Sequence, residues 1–177
     1  RPKNQDEAGK SAGALKGNRT LMRQRVNKAL QVLLGQKGVS LDPARVGAIG
    51  FCFGGTAALE LARSGAKVGG VVSFHGGLAS PAPDDARAIL GKVLVLHGAD
   101  DPFVPAEEVS AFEAEMRGAR VYWQLVSFGN AVHSFTDVDA NMAGKAQYNP
   151  LVTARAYSLM DAFFKEALSP GNPGKRK

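Results

Sequence analysis

Cys52 is the single cysteine of a 177-residue chain, and it stands in the run Gly50-Phe51-Cys52-Phe53-Gly54-Gly55. A nucleophile with glycines two residues to either side marks a sharp strand-to-helix elbow, here with a thiol where a serine hydroxyl is usual. Side chains at the flanking positions would strike neighbouring backbone, which is the reason for glycine. The helix that follows aims its first amides and its positive dipole end at the sulfur, and so favours the thiolate. The N–H of Phe53 is then placed to donate to an oxyanion forming on an attacked carbonyl. The bland alternative is a small buried cysteine in a glycine-rich turn. Against it stand Asp100 and Asp101 in HGADDPFVP and His133 in GNAVHSF. Nucleophile, acid and base follow the order Cys, Asp, His, each in a loop after a predicted strand. That is the chain order of a hydrolase triad. His133 would accept the thiol proton and a carboxylate would hold its ring in the useful tautomer.

The elements needed to position these residues are legible from hydrophobic spacing. Residues 1–17 are polar and dotted with glycine, and read as a loop-like remnant. Apolar residues from Asn18 to Gln36 recur at helical spacing, with basic residues on the other face. The runs 45–51, 67–74, 92–97 and 120–128 predict strands, and 53–64, 106–117 and 151–167 predict helices. The segment between the last strand and Pro150 reads as a long polar loop, and residues 169–177 as a basic tail. The strands are continuous apolar runs rather than in-out alternations. This predicts an α/β fold with a mostly parallel sheet covered by helices on both faces, in a domain spanning 18–168. Ligands of such sheets sit at the carboxyl ends of the strands, where Cys52, Asp101 and His133 fall.

Composition narrows the class. With 45% hydrophobic and 21% charged residues, the chain is an ordinary globular domain rather than a disordered or disulfide-stapled one. One cysteine cannot form an internal disulfide, and no apolar run approaches the roughly 18 residues of a spanning helix. The net charge of +6 is concentrated at the ends: eight basic residues lie in the first thirty positions, and Lys175, Arg176 and Lys177 close the chain. Little aromatic interleaving accompanies them, so they read as solvated rather than as a nucleic-acid or membrane surface. Asp137, Asp139 and Asn141 resemble the start of a calcium loop, but Met142 and Tyr148 stand where glycine and a bidentate glutamate belong. Cys52, His75 and His97 lack zinc-ligand spacing. No metal or organic cofactor is expected. A hydrogen-bonded structural role is the expectation for His75 and His97. His75 is also a candidate for lining the substrate cleft, together with Phe103 and Phe135.

The segments GAIGFCFGGTAALELARSGA, VVSFHGGL, VLVLHGADDPFVP and VSFGNAVHSF resemble blocks of the dienelactone hydrolase family, and the likeness covers most of the chain. It implies an α/β-hydrolase with nucleophile Cys52 and base His133. Of the aspartate pair, it selects Asp101, the residue before the PFVP segment. Two departures qualify it. A complete hydrolase of this type has several strands ahead of the nucleophile strand, whereas 51 residues precede Cys52. The chain therefore reads as the C-terminal part of an α/β-hydrolase fold. The missing part would carry a second oxyanion-hole amide, an acidic residue near the nucleophile and any signal peptide. A cytoplasmic location is expected, with periplasm or secretion left open on that account. The second departure is Asp137, which stands where archetypal members place a carboxylate-binding arginine, and which would repel such a substrate.

These readings converge on a hydrolase of the ester-bond class that cleaves a small ester, lactone or thioester through an acyl-enzyme on Cys52. A catalytically weak relative or fragment acting as a binding domain is the rival, and a redox-sensing cysteine is a third reading. The partner expected is a small-molecule ester or lactone, with no nucleic acid and no membrane. A homodimer, or association with an N-terminal segment, is the remaining possibility raised by a sheet edge left open.

Overall fold

The computed structural model describes residues 2–169, so the basic tail expected at the C-terminus lies outside the described residues apart from Ser169. The chain divides into two compact units, Arg1–Leu41 and Asp42–Lys177. The boundary between the units falls after Leu41.

The first unit corrects the loop expected over residues 1–17. It contains α1 (Gln5–Lys16) and α2 (Arg19–Leu34), packed on one another. Asn4 caps α1 by accepting from the Glu7 N–H, Asp6 and Glu7 lie in its first turn, and Lys16 lies in its last. Together these complement the helix dipole and offset Gly9 and Gly13, which each cost about 1 kcal/mol in a helix interior. Asn18 caps α2 in the same way through the Leu21 N–H.

The second unit carries the parallel sheet: β1 (Gly47–Phe51), β2 (Gly70–Phe74), β3 (Lys92–Gly98) and β4 (Trp123–Phe128), hydrogen-bonded in that order. Helices α3 (Phe53–Arg63) and α4 (Ala106–Gly118) and a 3₁₀ turn at Pro83–Ala88 connect the strands. The closing helix, α5, spans Pro150–Ala167. β2 and β3 are buried along their whole length, as the unbroken apolar runs require. One face presents Val72, Phe74, Leu94 and Leu96 to Ala156, Met160 and Phe163 of α5. The other face carries α3, whose Gly55 rests against the Ser73 side chain. Each fully buried valine, leucine or phenylalanine contributes roughly 1.5–3 kcal/mol relative to exposure. The expected polar loop before Pro150 contains a small hairpin, β5 (Asn141–Met142) and β6 (Ala146–Gln147), whose two-residue strands are too short to leave a pattern. No helix among the described residues is long and apolar enough to cross a membrane.

Candidate active site

Cys52 is the only residue between the end of β1 and the start of α3, with φ 51° and ψ −121°. This left-handed conformation costs a residue with a Cβ about 1–3 kcal/mol. The surroundings hold it there. Its N–H donates to the Phe74 carbonyl at 3.1 Å, and its carbonyl accepts from Gly55 N–H at 3.0 Å. A Cβ on Gly50 would lie 1.9 Å from the Gly54 carbonyl oxygen, so the elbow closes only over glycine. Gly54 itself faces open space, which confines the steric reading of the elbow to Gly50 and leaves it unsupported at Gly54. Phe53 is the first residue of α3, where helix geometry provides no intrahelical acceptor for its N–H.

Asp101 follows β3. It is 5% exposed, its Oδ2 lies 2.8 Å from His133 Nδ1, and its Oδ1 accepts from the Phe103 N–H at 2.8 Å. Asp100, its neighbour, is exposed. The His133 loop is laid against the end of β3: Asp100 N–H donates to Ala131 O at 3.0 Å, and a Cβ on Gly98 would meet that oxygen at 2.6 Å. The hairpin grips the same residue, since His133 N–H donates to Lys145 O and Gln147 N–H donates to His133 O. A carboxylate can only accept, so His133 Nδ1 carries the proton towards Asp101 and Nε2 is left to face Cys52.

Two residues at the sulfur were not expected there. His75 is 1% exposed, and its Nδ1 lies 3.3 Å from Cys52 Sγ. Ser134 Oγ lies 3.4 Å from the same atom. Both have positive φ, 39° and 55°. His75 thus sits beneath the nucleophile rather than on an open cleft wall. A hydrogen bond from its Nε2 side to Thr136 Oγ1, at 2.7 Å, supports the structural half of its reading. Its position after β2 in SFHGG was the only available signal, and Ser134 had none beyond adjacency to His133. Phe135 is corrected: it is fully buried in the α5 cluster, edge-on to His75 with ring centroids 4.9 Å apart, and does not line a cleft. Phe103 is 55% exposed and edge-on to His133 at 5.2 Å. His97 is buried, and its Nδ1 has no hydrogen-bond partner among the described residues, contrary to the bonded role expected. Burial lowers its pKa against the attraction of Asp101 and Glu108. Asp137 is exposed and accepts the Asp139 N–H in a tight turn, as a local turn rather than an ion site would.

The electrostatics favour a charge-separated pair. Burial would raise the Cys52 thiol, but hydrogen bonding with His133, His75 and Ser134 outweighs it and brings the pKa down to about 6. Burial would lower His133, but its hydrogen bonds to Asp101 and Cys52 and their negative charge carry it up to about 9. Between those values the proton belongs on the imidazole and the charge on sulfur. Such a pair can attack an electrophilic centre without first losing a proton to solvent.

The sequence model of the dienelactone hydrolase family matches residues 1–168. The chain belongs to the dienelactone hydrolase family. An uncharacterized protein of Caenorhabditis elegans is 35% identical over 138 residues, which cover 73% of this chain and 84% of that one. The solved structure named m3DLH is 45% identical, with a TM-score of 0.87 over 95% of this chain and 70% of its own. A dienelactone hydrolase-like promiscuous phosphotriesterase from metagenomic libraries is 41% identical, with a TM-score of 0.83 over 91% of this chain and 67% of its own. This member of the family therefore has an α/β-hydrolase-type fold, a four-stranded parallel sheet flanked by helices.

Proposed function

We propose that this dienelactone hydrolase family member cleaves small esters or lactones through a covalent acyl-enzyme on Cys52. The observation that carries the reading is a strained elbow thiol whose low pKa is coupled to His133, itself held 2.8 Å from Asp101. In this mechanism the thiolate of Cys52 attacks the carbonyl carbon and Phe53 N–H donates to the oxyanion. His133 enters as the acid. Its Nε2 proton passes to the leaving alkoxide as the carbon–oxygen bond breaks, which leaves a thioester and a neutral imidazole. That imidazole then takes a proton from water, hydroxide adds to the thioester, and the acid product departs as Cys52 thiolate and His133 imidazolium reform. Asp101 orients the ring throughout. With Asp137 one turn beyond His133, a neutral acyl group is favoured over an anionic one.

The test is the pH dependence of Cys52 alkylation by iodoacetamide alongside p-nitrophenyl acetate turnover. The alkylation rate should rise through about pH 6, well below the 9.0 of an ordinary thiol, and alkylation should abolish turnover. A rate that rises only near 9, or turnover that survives full alkylation, overturns the reading, and a protein with no turnover at all favours the binding-domain alternative. The resemblance to a phosphotriesterase supports a second substrate class, since the same thiolate can attack phosphorus. Release of p-nitrophenol from a dialkyl aryl phosphate checks it.

A further inference from the structure

The hydrolytic mechanism uses one imidazole, yet two are aimed at the sulfur. Cys52 Sγ and one ring nitrogen each of His75 and His133 lie within 4.8 Å of one another. The far nitrogen of each ring is already engaged, His133 Nδ1 by Asp101 Oδ2 at 2.8 Å and His75 Nε2 by Thr136 Oγ1 at 2.7 Å. His75 Nδ1 faces the elbow at 3.3 Å from both Sγ and the backbone N–H of Cys52, and moving its ring proton to Nε2, where Thr136 Oγ1 can accept it, frees the Nδ1 lone pair for an ion. The result is one sulfur and two imidazole nitrogens converging on one another, with each ring orientation fixed from behind. A carboxylate or hydroxyl on the outer nitrogen is how metal-binding histidines are held.

We propose that Cys52, His75 and His133 form a binding site for one d-block divalent cation of the zinc type, whose occupancy takes the nucleophile out of use. Thiolate and imidazole are the donors such a cation prefers, and three protein ligands leave a fourth position open towards the cleft. A tetrahedral ion with those ligands needs sulfur–nitrogen separations of about 3.5 Å and a nitrogen–nitrogen separation of about 3.4 Å. The Cys52–His75 pair is already at 3.3 Å. Closing the remainder takes rotation of half-buried side chains, not movement of the sheet. The proton balance is definite. The free trio holds one proton on Cys52 or His133 that the bound trio cannot keep, so binding releases one proton per ion. Loss of the nucleophile on occupancy rests on the hydrolytic reading above; the site itself does not.

The experiment titrates Co²⁺ alone into the full chain, free of chelator and oxygen, and follows absorbance and proton release. One Co²⁺ per chain, a sulfur-to-cobalt charge-transfer band and about one proton released per ion are expected. Cys52→Ala should abolish the band. His75→Ala should weaken binding by about tenfold or more, and Thr136→Val, which leaves all three ligands in place, by about 10- to 100-fold. A missing band, or His75→Ala and Thr136→Val variants that bind as tightly as the parent, overturns the site. Zn²⁺ should block ester turnover, and a chelator should restore it. Band formation without ester turnover would keep the site and sink the hydrolytic reading. Turnover without a band would do the reverse.

Discussion

Two buried polar clusters stand at opposite ends of α3, and they are built to different purposes. At its C-terminal end Arg63, 1% exposed, places its guanidinium fork on both Glu115 oxygens at 2.8 and 2.7 Å. The same group reaches Glu60 at 3.0 Å and the Leu78 carbonyl at 3.0 Å. Every partner is planar and fixed, and no proton has to move. At the N-terminal end the cluster of Cys52, His75, His133 and Asp101 holds a shared proton, half-buried groups and strained backbone. Cys52, His75 and Ser134 account for three of the five non-glycine residues with positive φ among those described. One end ties α3 to α4 and to the chain beyond His75. The other keeps reactive groups within reach without satisfying them fully. A rigid far end is what lets the near end remain strained.

The sharpest way to break this contrast is Cys52→Gly. Turnover should fall about 10⁴-fold or more, as for loss of a nucleophile that acts within a unit. Stability should stay within about 1 kcal/mol of the parent, because relief of left-handed strain opposes the lost attraction to His133. Paired turnover and urea-midpoint measurements check both halves. A large drop in midpoint would mean that Cys52 is structural.

Asp101→Asn should cost about 10³- to 10⁴-fold in turnover, since the amide no longer fixes the His133 tautomer. It also carries a pH signature. His133 has a raised pKa, from 6.5 to about 9, so its stabilising charge is fully present below 6.5 and is lost as pH rises through about 9. Without the carboxylate that loss should move towards neutral pH. Denaturant midpoints from pH 6 to 10 follow it, and an unmoved profile would deny Asp101 its hold on the ring.

Arg63→Met inverts the pattern. It takes the guanidinium away from buried Glu60 and Glu115 and should destabilise by about 3–5 kcal/mol, while turnover per folded molecule stays near that of the parent. Adding Glu60→Gln and Glu115→Leu should recover most of the loss. If Arg63→Met instead lowers turnover in fully folded protein, the two ends of α3 are coupled more tightly than their separate chemistry implies.

The legibility of these clusters in the sequence differs for a physical reason. The parallel sheet could be read from unbroken apolar runs such as KVLVLH, because burial on both faces leaves no room for polar alternation. Cys52, Asp101 and His133 could be read because each falls in a loop at a strand end, and their order along the chain is visible. His75 beneath the sulfur could not, since its position depends on how β2 lies beside β1. Arg63 and Glu115 carry no local signal that sets them apart from solvated helix charges, and their pairing spans 52 positions. In α1 the glycines masked capping signals at Asn4 and Glu7 that were present locally. The hairpin that grips His133 has strands of two residues, too short for any period to register.

The smallest effect concerns the two phenylalanines expected to line the substrate cleft, which the structure places in opposite surroundings. Phe135 is sealed in the core, whereas Phe103 is 55% exposed with its ring against His133. An exposed phenylalanine beside His133, the acid and base of the proposed mechanism, is placed to pack on an acyl or aryl group, and its N–H already serves Asp101. Phe103→Ala keeps that backbone donor and removes only the ring. It should raise KM by about threefold to tenfold, the equivalent of roughly 0.7–1.4 kcal/mol of lost contact, and leave kcat nearly unchanged. The ring also covers one side of His133, so a fall in kcat with KM constant would shift its role from holding substrate to orienting the imidazole. Phe135→Leu supplies the opposite control. It should lower the denaturant midpoint through lost core packing while KM stays where it was, because that side chain never meets the cleft.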